Sequence, residues 1–183
     1  MSMKKLIELD DFEGIKKAVI AGEDVNSTDR SGATALMRAI VKKDKEMAQW
    51  LLIQNANVNQ SEKDGWTALH FAAQEGFLDG IRLLLENGVY VDSKDVEGNT
   101  PLWRVSMSCP AISAKDAANI LVEAGARKDT KNNHDVSPKD ISPELKIPTW
   151  YGADIYAGLE DLTGDRLDPS QSEGQSSFVG INI

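Results

Sequence analysis

The stretch from Asp64 to Asp92, DGWTALHFAAQEGFLDGIRLLLENGVYVD, decides how this chain is organised. Thr67 stands just before a short apolar run, where its hydroxyl can accept from an orphan N–H and start a helix. Leu69, Ala72 and Ala73 give that helix one packed side made of small residues. Ile81, Leu84 and Leu85 recur at i, i+3 and i+4, which predicts a second, amphipathic helix. Gly88 follows it, where a left-handed residue is needed to end the helix. Each helix has one apolar face and nothing of its own to bury it against.

Outward from this stretch the pattern repeats. Thr34-Ala35-Leu36-Met37, Thr67-Ala68-Leu69-His70 and Thr100-Pro101-Leu102-Trp103 are spaced 33 residues apart, and Ser137-Pro138-Lys139-Asp140 follows after 37. Gly22, Asn55, Gly88 and Gly125 are spaced 33, 33 and 37. Gly32, Gly65 and Gly98 each precede their threonine by two, and Asp135 takes that place in the last copy. Pro101 sits in a first turn, where its missing N–H costs nothing. Asn55 replaces glycine at a helix end, and asparagine is the next best residue there. Units of this kind bury their apolar faces by stacking on one another.

These landmarks, in one register over roughly residues 3–142, resemble the ankyrin repeat: hairpin, T-P-L-H turn, first helix, linker, second helix and closing turn. The resemblance implies an all-α ankyrin-repeat solenoid with short β-hairpin loops and a non-ankyrin C-terminal tail. The array is expected over 1–142, as a cap (3–28), repeats at 29–61, 62–94 and 95–131, and a partial unit (132–142). The third repeat holds four extra residues around Ser106 to Ser113, and Pro110 predicts an extended loop there. Residues 143–183 form an extension with seven acidic residues against Lys146 and Arg166. Its aromatics are Trp150, Tyr151 and Tyr156, and Ile155, Leu159 and Leu162 suit a two-turn amphipathic helix. Exposing a Trp-Tyr pair is costly, so Pro148 to Leu162 is expected to dock on the last repeat. The other reading makes the tail part of a binding surface.

Composition bounds the function. The 183 residues are 41% hydrophobic, enough for a core, and the formal charge of −9 repels nucleic acid and favours a basic protein partner. One cysteine, Cys109, fits a reducing compartment, and MSMKKLIELDD is not a signal peptide. No run approaches the roughly 20 apolar residues of a membrane span. The expectation is a cytoplasmic protein, monomeric when free, that contacts neither nucleic acid nor membrane.

Chemistry-bearing clusters are few. His70 sits in the T-A-L-H turn, where the resemblance implies a hydrogen bond to neighbouring backbone; His134 is expected at a solvated hairpin tip. Neither has metal-like partners, and Asp161, Asp165 and Asp168 lack the alternation of a calcium loop, so no metal or cofactor is expected. The nucleophile elbow, Walker loop and dinucleotide fingerprint are missing from the sequence, and Cys109 reads as a loop thiol without a role. No catalytic residues are expected; an enzyme would need Asp161, Asp165 or Cys109 to converge with a base.

The resemblance implies a concave contact surface of hairpin tips and first helices. Carried over by register, its partner-binding candidates are Arg30, Met37, Arg38, Lys63, Trp66, Phe71, Gln74, Glu97, Asn99 and Arg104, joined by Trp150, Tyr151 and Tyr156 of the tail. Trp66 either faces a partner or packs across its hairpin; Trp103 replaces the turn histidine and is expected inside, and Trp50 is core or half-exposed. Tryptophan and arginine are enriched in hot spots, so replacing Trp66 and Arg104 by alanine is expected to weaken binding and leave the melting temperature nearly unchanged. Short, bacterial-looking ankyrin chains with divergent tails also resemble immunity proteins of polymorphic toxin systems, which implies a basic toxin domain as the candidate partner. The alternative is a structural scaffold or self-associating module.

Overall fold

The computed structural model describes residues 1–107 and 112–141, the side chains of residues 112 and 113 excepted. Helices come in pairs. The first pair is α1 (Met3–Glu8) and α2 (Phe12–Ile20), followed by α3 (Ala35–Val41) with α4 (Lys45–Ile53). The next are α5 (Ala68–Gln74) with α6 (Leu78–Glu86) and α7 (Pro101–Met107) with α8 (Ile112–Glu123), and α9 (Pro138–Ile141) stands last. First helices pack on first helices, α3 on α5, α5 on α7 and α7 on α9. Second helices pack likewise, α4 on α6 and α6 on α8. The only bridges among the described residues are Thr28 to Thr34 and Ser61 to Thr67, each closing the base of a hairpin. This is the all-α solenoid expected.

Local chemistry sets the helix ends. Asp11 accepts from the Gly14 N–H at 2.9 Å and Asp44 from the Met47 N–H at 2.9 Å, which starts α2 and α4. Thr34 and Thr100 accept from the N–H three residues on, at 3.3 Å each, which starts α3 and α7. Asn55 and Gly88 both turn left-handed, with φ of 63° and 76°. One hydrophobic core runs from Met3 to Ala126, with Ile15, Leu36, Leu51, Leu69, Leu84, Leu102 and Leu121 fully buried among it.

Two hydrogen-bond ladders tie neighbours together. At the hairpin tips, backbone N–H groups of Lys63, Val96 and Asn133 donate to the carbonyls of Ser31, Asp64 and Glu97 at 2.9–3.1 Å. At the opposite turns, Asn26, Asn59 and Asp92 accept from the N–H groups of Asn57, Tyr90 and Arg127. The tips meet so closely that a Cβ on Gly65 would lie 2.9 Å from the Asp95 Cα and from the Val96 nitrogen.

The third repeat corrects one expectation. The extended loop from Ser106 to Ser113 is shorter, because Ser106 and Met107 finish α7 while residues 112 and 113 begin α8. The extra length goes largely into α8, which has 12 residues against nine in α4 and α6. Proline forbids interior helix hydrogen bonding at its own position but leaves the residues after it free to start a helix. Residues 108–111, with Cys109, and the tail with its expected docking lie outside the described residues.

Candidate partner-binding face

The face made by the hairpins and the first helices is read best by columns. Five residues before each turn threonine stand Asp29, Glu62 and Asp95; four after it stand Arg38, Phe71 and Arg104. In the first and third repeats these positions form a charge pair. Asp29 is buried and bonds the Arg38 guanidinium, and it also accepts from the Ser31 and Ala33 N–H groups. Asp95 does the same with Arg104 and with the N–H groups of Glu97 and Asn99. Burial alone would raise both carboxyls. For Asp29 the bonds from Ser31 and Arg38 outweigh it, and for Asp95 those from Arg104 and Asn99, so both ionise below the ordinary aspartate value. The pairs therefore hold two guanidiniums in fixed positions on this face.

The second repeat has no such pair. Glu62 accepts from the backbone N–H groups of Asp64 and Trp66, and Phe71 takes the arginine position. One residue before the threonine, where Ala33 and Asn99 are buried, stands Trp66, half-exposed. Its ring centroid lies 5.0 Å from that of Phe71 and 6.0 Å from that of His70. The Arg104 guanidinium of the next repeat sits 4.0 Å over the indole, and 5.4 Å from the Trp103 ring. Trp66 thus packs across onto its neighbours, as one of the two readings had it, and still presents surface.

His70 is fully buried beneath this cluster. Its Nε2 donates to the Asn99 carbonyl of the next repeat at 3.1 Å, which fixes the neutral tautomer. Nδ1 then accepts from the Thr67 N–H at 3.2 Å and lies 2.9 Å from the Thr67 hydroxyl. Burial, aided by the Arg104 charge, keeps the imidazole below its ordinary value despite the Asn99 bond and Asp95. His134 is exposed at its tip, 3.2 Å from Glu97.

The remaining candidates separate by burial. Lys63, Gln74 and Glu97 are exposed, and Arg30 is exposed while pairing with Glu8 at 3.3 Å. Arg38 and Arg104 are part-buried in their pairs, and Trp103 is half-buried rather than inside. Two candidates are withdrawn. Met37 is 2% exposed because the residue three after the threonine points into the core in this repeat. Asn99 is 4% exposed and is used up inside, bonding Asp95 and Asn132. Trp150, Tyr151 and Tyr156 lie outside the described residues. Arg104 is also a stability residue, because removing it leaves buried Asp95 short of its countercharge; an unchanged melting temperature is no longer expected. Sequence reading missed the paired aspartates. Their signal was present, an Asp nine residues before an Arg in two repeats and in neither case in the one between.

Among the described residues no group of His, Cys, Asp or Glu has metal-site geometry, and no helix is long and apolar enough to cross a membrane.

A hairpin followed by two helices, stacked at a pitch of 33 residues, defines a repeat solenoid. The family model for ankyrin repeats matches residues 6–95 and 41–132. This chain belongs to the ankyrin-repeat family, whose repeats are protein–protein interaction modules. It is 29% identical to Rabankyrin-5 of Mus musculus over 126 residues, 64% of this chain and 11% of that protein. It is 34% identical to the Mus musculus B-cell lymphoma 3 protein homolog over 94 residues, 49% of this chain and 21% of that one. With the probable 26S proteasome regulatory subunit p28 of Saccharomyces cerevisiae it shares 35% over 130 residues, 70% of this chain and 55% of p28. The chain thus spans from about a tenth to about half of the length of these three relatives.

Proposed function

We propose that this chain is a non-catalytic binding protein that docks one protein partner on its hairpin and first-helix face, centred on Trp66 and Phe71. The observation that carries the reading is Trp66 itself. It occupies a place that is small or polar in the neighbouring repeats, it keeps exposed surface, and Arg104 and Phe71 hold its ring in one orientation. A rigid aromatic with an arginine beside it is the composition of an interface hot spot. Docking costs it little conformational entropy, since its ring is already packed.

Neutralising a basic toxin domain is a narrower form of this reading. It rests on the likeness to immunity proteins and on the charge of −9. The hairpin face adds no weight to the charge argument, because its cations and anions are largely matched: Arg30 with Glu8, Lys42 with Asp10, and Lys43 with Glu75.

The test is capture of a partner from the source cell by the full chain and by Trp66→Ala/Phe71→Ala, with both melting curves measured. The reading expects one partner that the unaltered chain retains and the folded variant loses. Equal capture by both would move the interface elsewhere. Light scattering addresses the scaffold alternative, which requires a stable dimer at all concentrations.

A further inference from the structure

The three full repeats carry different residues at one place facing the next unit, buried in the first two and half-buried in the third. Three residues after the turn threonine stand Met37, His70 and Trp103. Only the second is titratable, and it faces the next repeat. Its Nε2 bonds the Asn99 carbonyl, and its Nδ1 closes the first turn of α5 on the Thr67 N–H. The charged groups facing it are Asp95, which favours a proton on the ring, and Arg104, which opposes one. The Trp66 ring stands on a third side, and the Ser93 carbonyl also interacts with the imidazole.

We propose that the junction between repeats two and three is an acid-sensitive seam: protonation of His70 opens it, while the junction between repeats one and two stays closed. The geometry gives the reason. A proton added at Nδ1 would turn the acceptor of the Thr67 N–H, 3.2 Å away, into a donor, with the Thr67 hydroxyl at 2.9 Å left to accept it. It would also place a cation in a fully buried site. The hydroxyl can accept that proton, but it neither restores the bond lost by the Thr67 N–H nor solvates the buried charge, so the imidazolium is relieved by leaving the seam. Trp66 and Phe71 lie on one side of the seam and Arg104 on the other, so opening lifts the guanidinium off the Trp66 ring. That consequence for binding rests on the function proposed above; the seam itself does not.

The sign follows from linkage. The folded ring is held below its ordinary 6.5, so the closed state is fully favoured above that value and loses ground as pH falls below it. Moving from pH 7.5 to 5.5 raises the opening constant up to about tenfold, the limit for one proton released from its ordinary value. The units beyond the seam are too few to stay folded alone, so opening exposes their amides.

Hydrogen exchange of the full chain, corrected for the intrinsic pH effect, measures this. Amides of α7 and α8 should gain up to about tenfold in exchange at pH 5.5, and those of α3 and α4 should gain less. His70→Met, which puts at this place the residue repeat one already carries, should remove the difference. An equal gain in α3 and α4, or a difference that survives in His70→Met, overturns the proposal. If that variant does not fold, titration of the His70 ring by NMR in the unaltered chain decides. A midpoint below 6.5 is expected, and one at or above it sinks the idea. Binding is not measured here, so failure of the seam and failure of the binding face are distinguishable.

Discussion

Repeat two and its neighbours fill the same columns with different chemistry. Repeats one and three spend their hairpin-face positions on a buried aspartate and the arginine it holds, Asp29 with Arg38 and Asp95 with Arg104. Repeat two puts Glu62, Trp66 and Phe71 in that register. It also starts its second helix from Phe77 without a side-chain cap, where α2 and α4 have Asp11 and Asp44. The flanking repeats are therefore braced internally by charge-assisted bonds. The middle one is braced from outside, by the Arg104 guanidinium of its neighbour over Trp66 and by His70 reaching the Asn99 carbonyl. The stacking geometry tolerates both solutions, because the core columns of Leu36, Leu69 and Leu102 are unchanged. What differs is the surface presented, and this separates the residues that maintain the fold from those available to a partner.

The largest effect tests the bracing. Asp95→Ala removes the acceptor for Arg104 and for two backbone N–H groups, and should cost about 3–5 kcal/mol by urea unfolding, the range for breaking a buried pair. Asp29→Ala should cost less. Arg38 is 33% exposed against 18% for Arg104, so water offsets more of what it loses. Equal losses would mean that the two braces are equivalent after all. Both aspartates ionise below the ordinary 3.8, so their stabilisation is complete above that value and is lost as pH falls through their folded values. Asp29→Asn should flatten part of the acid limb of a stability–pH curve, and an unchanged limb would remove this pair from the account.

A second contrast lies within repeat two. Gly65 and Gly88 both have positive φ, 81° and 76°. A Cβ at Gly88 meets nothing within 4 Å, whereas at Gly65 it meets the backbone of Asp95 and Val96. Gly88→Ala should cost only the left-handed strain, about 1–2 kcal/mol. Gly65→Ala adds overpacking against backbone that cannot swing away, for a total of about 3 kcal/mol. Thermal melts of the two variants check the gap, and similar losses would show that the tips separate without cost.

Trp66→Ala comes next. The ring is half-exposed, so its removal should cost about 1–2 kcal/mol of stability, well below the loss at Asp95. A loss as large as that of Asp95→Ala would make Trp66 a brace instead of a binding residue.

How much of this was legible in the sequence follows from the physics of each feature. The repeat, its turns and its left-handed ends were legible, because Gly22, Asn55, Gly88 and the threonines answer to local backbone needs that recur at a fixed spacing. Asn55 at φ 63° is a direct example. The proline at 110 misled over length, since it bars a helix through its own position but says nothing of where the next begins. Burial on the candidate face was the least legible. Met37 and His70 share a column that turns inward, and Asn99 is consumed by Asp95 of its own hairpin and Asn132 of the next. Such facts depend on which neighbour lies across the stack, which local pattern does not encode. Arg104 looked like a binding residue for the same reason: the aspartate that holds it is nine positions away, outside any helical spacing.

The smallest effect concerns the helix ends of the first two repeats. Asn55 and Gly88 close α4 and α6 in the same left-handed conformation, and both are exposed. A side chain there carries strain that glycine lacks, partly offset because glycine gives the unfolded chain more freedom. The strain term is the larger at a left-handed position. Asn55→Gly should therefore stabilise the chain by about 0.5 kcal/mol, and Gly88→Asn should destabilise it by a similar amount. Since neither site touches the hairpin face, capture of the partner should be unaltered in both. A gain at one site without a matching loss at the other would show that the two repeats differ at their back turns as well. The contrast between them would then no longer be confined to the face that carries Trp66.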